Sequence, residues 1–101
     1  MRAVEVRYTV RPEYADQNKA NIRKVMAKLR ATPIDGMMYS AYTLEDGHSF
    51  VHINICRDEE TLSKLNDVDE FVEFRKALKE SHPITPPSSI DLEYVGGNFD
   101  I

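Results

Sequence analysis

Met37–Cys56, MMYSAYTLEDGHSFVHINIC, is the stretch whose reading decides the fold. Two β-rich runs flank Asp46-Gly47, a dipeptide favoured in two-residue hairpin turns whose central residues both take φ > 0. A turn centred there sets Glu45 opposite His48, Thr43 opposite Phe50, Ala41 opposite His52 and Tyr39 opposite Asn54. Alternation along a strand then separates two faces. One carries this mixed set of aromatic and hydrogen-bonding groups. The other carries Met38, Tyr42 and Leu44 on the first strand, with Val51, Ile53 and Ile55 on the second. The aliphatic set reads as the face that helices cover, and the mixed set as the face on which to look for function.

Working outward, Ala3–Val10 alternates Val4, Val6, Tyr8 and Val10 against Glu5, Arg7 and Thr9, the pattern of a half-buried strand. Arg11-Pro12 ends it, since proline cannot donate to a ladder and suits a first helical turn. From Glu13 to Ala31 the period becomes helical, with Ile22, Val25, Met26 and Leu29 on one stripe. Lys19, Arg23, Lys24, Lys28 and Arg30 read as a basic, solvated helix face. Beyond Cys56, Asp58 is a good N-cap for a short helix over Glu59–Leu65, and Asp67 with Glu70 suggests a capping box for Val68–Lys79. Pro83–Ser89 reads as a loop, Ser89–Val95 as the last strand, and Asn98–Ile101 as a tail with no assignment.

The order β-α-β-β-α-β predicts a single α+β domain over residues 1–101, ferredoxin-like, with four antiparallel strands ordered 4-1-3-2. Helices then cover one face only. The uncovered face would show Met37, Tyr39, Phe50, Cys56 and Val95, which predicts a homodimer joined through the sheet faces.

Composition narrows the function. A net charge of −4 argues against a nucleic-acid partner, because phosphate attraction supplies most non-specific affinity. The third strand also lacks the aromatic signature of RNA-binding sheets. No apolar run approaches the roughly 20 residues of a membrane span, and the N-terminal run reads as a strand and not a signal peptide. One cysteine allows no internal disulfide, in keeping with a reducing cytoplasm. No phosphate loop, zinc spacing or serine elbow is present, and the scattered histidines predict neither metal nor cofactor.

The spacing of VRYTVRPEY, the Asp-Gly hairpin with SFVHINI, and the helix FVEFRKAL resemble the dimeric α+β barrel superfamily, nearest its antibiotic-biosynthesis-monooxygenase-like branch. The resemblance implies a homodimeric barrel. It also implies a cofactor-independent monooxygenase-like activity on a small aromatic or enolisable compound, held between sheet and helices or between sheets. Haem-degrading and quinone-forming members use an Asn, Trp and His set. This chain has no Trp, so that set does not transfer intact.

On the mixed face, His52 is the sharpest candidate base, with an ordinary pKa near 6.5. Asn54 and Tyr39 are candidates to orient a substrate oxygen or stabilise its charge. Arg7, Thr9, Phe50 and Glu93 are candidate ligand-binding residues, with Thr43 and Asp91 beside them and Arg7 pairing with Glu93 or Asp91. The blander reading is a structural ion pair and a histidine bonded inside a sheet interface. His48 reads as solvent-exposed and His82 as a helix C-terminal residue. His48 and His52 lie ~13 Å apart on one strand, which spoils a joint metal site. Cys56 reads as a small core residue. Two rival functions use the same fold: a non-catalytic module for a small hydrophobic ligand, and a regulatory module of the amino-acid-sensing kind.

Overall fold

The structure, a computed structural model, describes residues 1–101. Strand β1 (Arg2–Thr9) leads through a single 3-10 turn at Pro12–Tyr14 into helix α1 (Ala15–Ala31). Strands β2 (Met37–Thr43) and β3 (Ser49–Cys56) form the hairpin. Helix α2 (Glu59–Ser63), a second 3-10 turn at Lys64–Asp67, helix α3 (Asp69–Glu80) and strand β4 (Thr85–Leu92) complete the chain. The antiparallel sheet runs β2-β3-β1-β4, as the crossover argument requires.

The hairpin register is the predicted one: Thr43 opposite Phe50, Ala41 opposite His52, Tyr39 opposite Asn54. The turn itself is wider. Leu44 donates its N–H to the Ser49 carbonyl (2.9 Å), and Gly47 donates to the Leu44 carbonyl (3.0 Å). Only Gly47 takes a positive φ, +80°, and Asp46 does not. The Asp46 carboxylate instead accepts from the backbone N–H of His48 (2.9 Å) and of Ser49 (2.8 Å), and from Ser49 Oγ (2.6 Å). Both loops are symmetric about the same midpoint, so the register survives.

The faces are exchanged. Directly opposite residues of an antiparallel pair share a face. Val4 lies opposite Asn54, Val6 opposite His52, and Tyr8 opposite Phe50. When the apolar set of β1 turns to the helices it therefore carries Phe50, His52, Asn54 and Cys56 with it. Tyr39, His52 and Asn54 lie under α1 and α3, and not on the open face with Glu5, Arg7 and Thr9. Conversely Met38, Tyr42, Val51, Ile53 and Ile55, expected beneath the helices, share the open face with Glu5 and Arg7. The main core joins Tyr8, Val10 and Phe50 from the sheet to Ile22 and Val25 of α1 and to Phe74 and Leu78 of α3.

Three other expectations are revised. The last strand starts at Thr85, inside the predicted Pro/Ser loop, and stops at Leu92. It is an edge strand, where Pro86 and Pro87 are tolerated, and its register with β1 shifts between the Arg7–Ser88 and Thr9–Thr85 pairs. Arg7 pairs with Glu5, two residues away on its own strand, while Arg2 binds Asp91 (2.8 Å) and Glu59 (2.6 Å). Asp58 caps α2, accepting from Thr61 N–H at 2.8 Å. Val68, not Asp67, occupies the N-cap of α3 and makes no side-chain cap, so the predicted box does not form.

Candidate active site

The helix-covered face contains a continuous chain of polar contacts with no charged member. Asn18 projects from α1 into the core and is fully buried. Its Nδ2 donates to Tyr8 Oη (2.9 Å), which meets His52 Nε2 (2.7 Å). On the other side of the ring, His52 Nδ1 lies 2.7 Å from Tyr39 Oη. The imidazole stacks on Phe74 of α3, centroids 5.5 Å apart, while Tyr8 stacks on Phe50 at 5.4 Å. Tyr39 meets Phe71 edge-on. Aromatic contacts fix every ring in the chain.

Hydrogen-bond chemistry then orders the protons. With Asn18 donating to Tyr8, the Tyr8 hydroxyl spends its own proton on His52 Nε2. Neutral imidazole holds its remaining proton on Nδ1 and donates it to Tyr39 Oη. In that arrangement the Tyr39 proton is available for another acceptor. Turning the Asn18 amide over would reverse every donor in the chain.

Burial sets the ionisation states. Desolvation lowers the His52 pKa to about 4, because the charged ring would lose its water without gaining a carboxylate partner. Desolvation likewise raises both Tyr8 and Tyr39 well above the ordinary phenol value. All three are neutral at pH 7.

Beside this chain, a cleft of about 610 Å³ opens between α1 and the free edge of β2. Its apolar wall includes Ile22, Met26 and Leu29 of α1, with Met37, Tyr39 and Phe50 from the sheet. Tyr39 belongs to both features: its side chain lines the cleft and its Oη reaches His52. His52 is walled off behind it.

Of the predicted site residues, Tyr39 and Phe50 line the cleft, Thr43 lies at its edge, and His52 is one bond behind. Asn54 is buried opposite Tyr39, and neither amide atom bonds another residue. Arg7 and Thr9 face the open side of the sheet, where Thr9 Oγ1 meets Ser49 Oγ (2.8 Å). Glu93 lies beyond β4 and is exposed. Arg7, Thr9 and Glu93 are thus not brought to the cleft. His48, expected in solvent, donates through Nδ1 to the Val10 carbonyl (2.8 Å) and ties the hairpin to the end of β1. Cys56 is buried, and desolvation raises its thiol pKa. No group of three or more His, Cys, Asp or Glu side chains sits together as a metal site.

Sequence reasoning missed Asn18 and Tyr8. The signal was present: Asn18, Ile22, Val25 and Leu29 share one helical stripe, so an amide sits where the period demands an apolar group. A buried Asn needs a partner. Tyr8 supplies it.

No family model matches the chain, and no curated protein matches it by sequence. Solved structures do. Rv0793 from Mycobacterium tuberculosis is 20% identical with a TM-score of 0.81, covering 97% of this chain and 98% of that one. A protein solved as an antibiotic biosynthesis monooxygenase is 18% identical, TM-score 0.81, covering 95% and 100%. SnoaB, a cofactor-independent oxygenase from Streptomyces nogalater, is 13% identical in a mutant form, TM-score 0.72, covering 98% and 97%. The chain has the ferredoxin-like α+β fold of the antibiotic biosynthesis monooxygenase-like proteins.

Proposed function

We propose that this protein is a cofactor-independent oxygenase for a small aromatic or enolisable compound, bound in the cleft between α1 and β2. The observation that carries the reading is Tyr39. Its side chain lines a cleft of ring-binding size with an apolar floor, and its hydroxyl ends a buried chain of neutral groups. The fold is that of SnoaB, an oxygenase that works without a cofactor, which supports the same class of chemistry.

The roles follow from the ionisation states. Tyr39 stays protonated at neutral pH, so it acts as a donor to the substrate oxygen and not as a base. Donation favours the enolate or phenolate of the bound compound, whose acidic proton passes to water at the cleft mouth, as fixed donors favour a developing oxyanion. That anion is electron-rich enough to react with molecular oxygen. A new C–O bond gives a peroxide, whose O–O bond then breaks with loss of water. One oxygen atom stays in the product as a carbonyl and the other leaves as water, with the substrate supplying all the electrons. His52 acts through Tyr39 and is a positioning residue. Asn54, buried opposite Tyr39 with an uncommitted amide, does not line the cleft and is not among the groups that meet the substrate oxygen.

The proposal includes a homodimer joined through the open face of the sheet. On that face Met38 is 47% exposed, Tyr42 55% and Ile90 53%, large apolar side chains that a second copy would cover.

Oxygen uptake across a panel of naphthols, hydroquinones and 1,3-dicarbonyl compounds tests the function, with melting curves on the same preparations. Tyr39→Phe should stay folded and lose about a hundredfold in turnover, the scale of one oxyanion donor. His52→Ala should fall less in turnover but lose about 1–3 kcal/mol of stability, since it strands two buried hydroxyls. Full turnover in Tyr39→Phe would remove Tyr39 from the chemistry. Tight binding with no oxygen uptake would make the protein a ligand-binding module.

A further inference from the structure

Three of the five cations expected on a solvated helix face are part of the cleft wall. Lys19, Arg23 and Arg30 of α1 line it, and Lys24 and Lys28 do not. Lys19 and Arg23 stand one turn apart, with Arg30 further along the same side, so the wall gathers like charges that repel one another. None of the three pairs with a carboxylate: every ion pair in the structure is made by Arg2, Arg7, His48 or Arg57. No Asp or Glu lines the cleft. In a chain of net charge −4, this is a local reversal of sign.

The facing wall is the open edge of a strand. Leu44 and Ser49 form a bonded pair, so alternation along the ladder leaves Tyr39, Ala41 and Thr43 with backbone groups turned to the free edge of β2. All three line the cleft. An apolar floor therefore lies between unpaired cations on one side and a strand edge on the other whose backbone offers N–H and C=O groups alike, so the net charge of the cleft is set by Lys19, Arg23 and Arg30.

We infer that the cleft selects an anion, specifically a compound with an apolar ring body and a carboxylate directed at Lys19, Arg23 and Arg30. This rests on the reading of the cleft as the substrate site, and it narrows the substrate class to aromatic or enolisable carboxylates. The carboxylate is the recognition handle, separate from the oxygen that meets Tyr39.

Equilibrium titration with 2-naphthoate and its neutral isostere 2-naphthamide tests the selection without requiring turnover. The wild-type protein should bind naphthoate at least about fivefold more tightly in low salt, the scale of a few exposed charge interactions. The preference should shrink in 0.5 M NaCl as screening shortens. Arg23→Gln should lower naphthoate affinity and leave naphthamide unchanged, while Lys28→Gln, off the cleft wall, should change neither. Equal affinity for the two probes, failure of both to bind at millimolar concentration, or an equal loss in Lys28→Gln would overturn the inference. The two proposals fail separately. Selective naphthoate binding without any oxygen uptake sinks the oxygenase and leaves anion selection standing. Oxygen uptake on neutral substrates that Arg23→Gln leaves untouched does the reverse.

Discussion

The two faces of the sheet solve opposite problems. The helix-covered face buries polar groups, among them His52, Asn54, Tyr8 and Asn18, inside an aromatic shell. The open face shows Met38 and Tyr42 of β2, Ile53 of β3 and Ile90 of β4, with Glu5 and Arg7 of β1 among them. Ordinary folding would assign these contents the other way round. Burying hydrogen-bonding groups costs free energy unless they pair, and leaving apolar area in water forgoes burial at about 25 cal/mol per Å². A protein keeps such an inversion when the polar interior has a task and the apolar exterior has a partner.

The largest effect that could break this comparison is on the open face. The wild-type protein should scatter light at about twice its 11.6 kDa chain mass. Ile53→Asp places a carboxylate amid that face and should weaken the dimer by about a thousandfold, or ~4 kcal/mol, because the charge would be buried without a partner. A wild-type monomer at micromolar concentration, or an Ile53→Asp dimer of undiminished affinity, would show that the exposed row has no such partner.

The next effect belongs to the covered face. His52 has a folded pKa of about 4 against about 6.5 in an unfolded chain, so the unfolded state takes up the proton first as pH falls. The protein should hold its full share of this stability above pH 6.5 or so. It should lose about 3 kcal/mol between there and pH 4, and nothing further from this group below. His52→Gln should flatten that window in denaturant titrations. Asp46, held at a pKa of about 2 chiefly by Ser49 Oγ, gives its loss at lower pH, as the solution passes from the ordinary carboxylate range toward 2, so the two residues separate on one curve. An unchanged slope in His52→Gln would show that the ring does not titrate as a buried neutral group.

The smallest effect sharpens the comparison within the covered face. Asn54 is buried and its amide bonds no other residue, so Asn54→Leu should raise stability by about 1 kcal/mol, seen as a higher melting temperature. A less stable Asn54→Leu would mean the amide contributes to the fold.

How much of this was legible beforehand differs by feature. Element order and strand order were, because hydrophobic period and crossover handedness are local or nearly so. The hairpin register was legible as well, since Asp46 and Gly47 mark the midpoint of either turn. The faces were not. SFVHINIC alternates aliphatic Val51, Ile53 and Ile55 against Phe50, His52, Asn54 and Cys56, so its own alternation points the aliphatic side at the helices, the opposite of what the fold does. That information lay in β1, where Val4, Val6 and Tyr8 bind the choice to Asn54, His52 and Phe50. The start of β4 was hidden because Pro86-Pro87 signals a loop anywhere but on an edge. Arg23 and Arg30 in the cleft wall were hidden too: helical period marks which side of α1 is polar, but not that a neighbouring strand edge borders it.

The same two prolines bear on how far copies of this chain can assemble. A sheet grows indefinitely when its outermost strand offers an incoming strand a full row of donors and acceptors. Pro86 and Pro87 remove two donors from β4, and the register shift beside them breaks its alignment with β1. On the opposite margin, α1 stands beside β2 across the cleft. Lateral stacking into fibres is thus discouraged at β4, which leaves the flat of the sheet, the face of the proposed dimer, as the surface for a second copy.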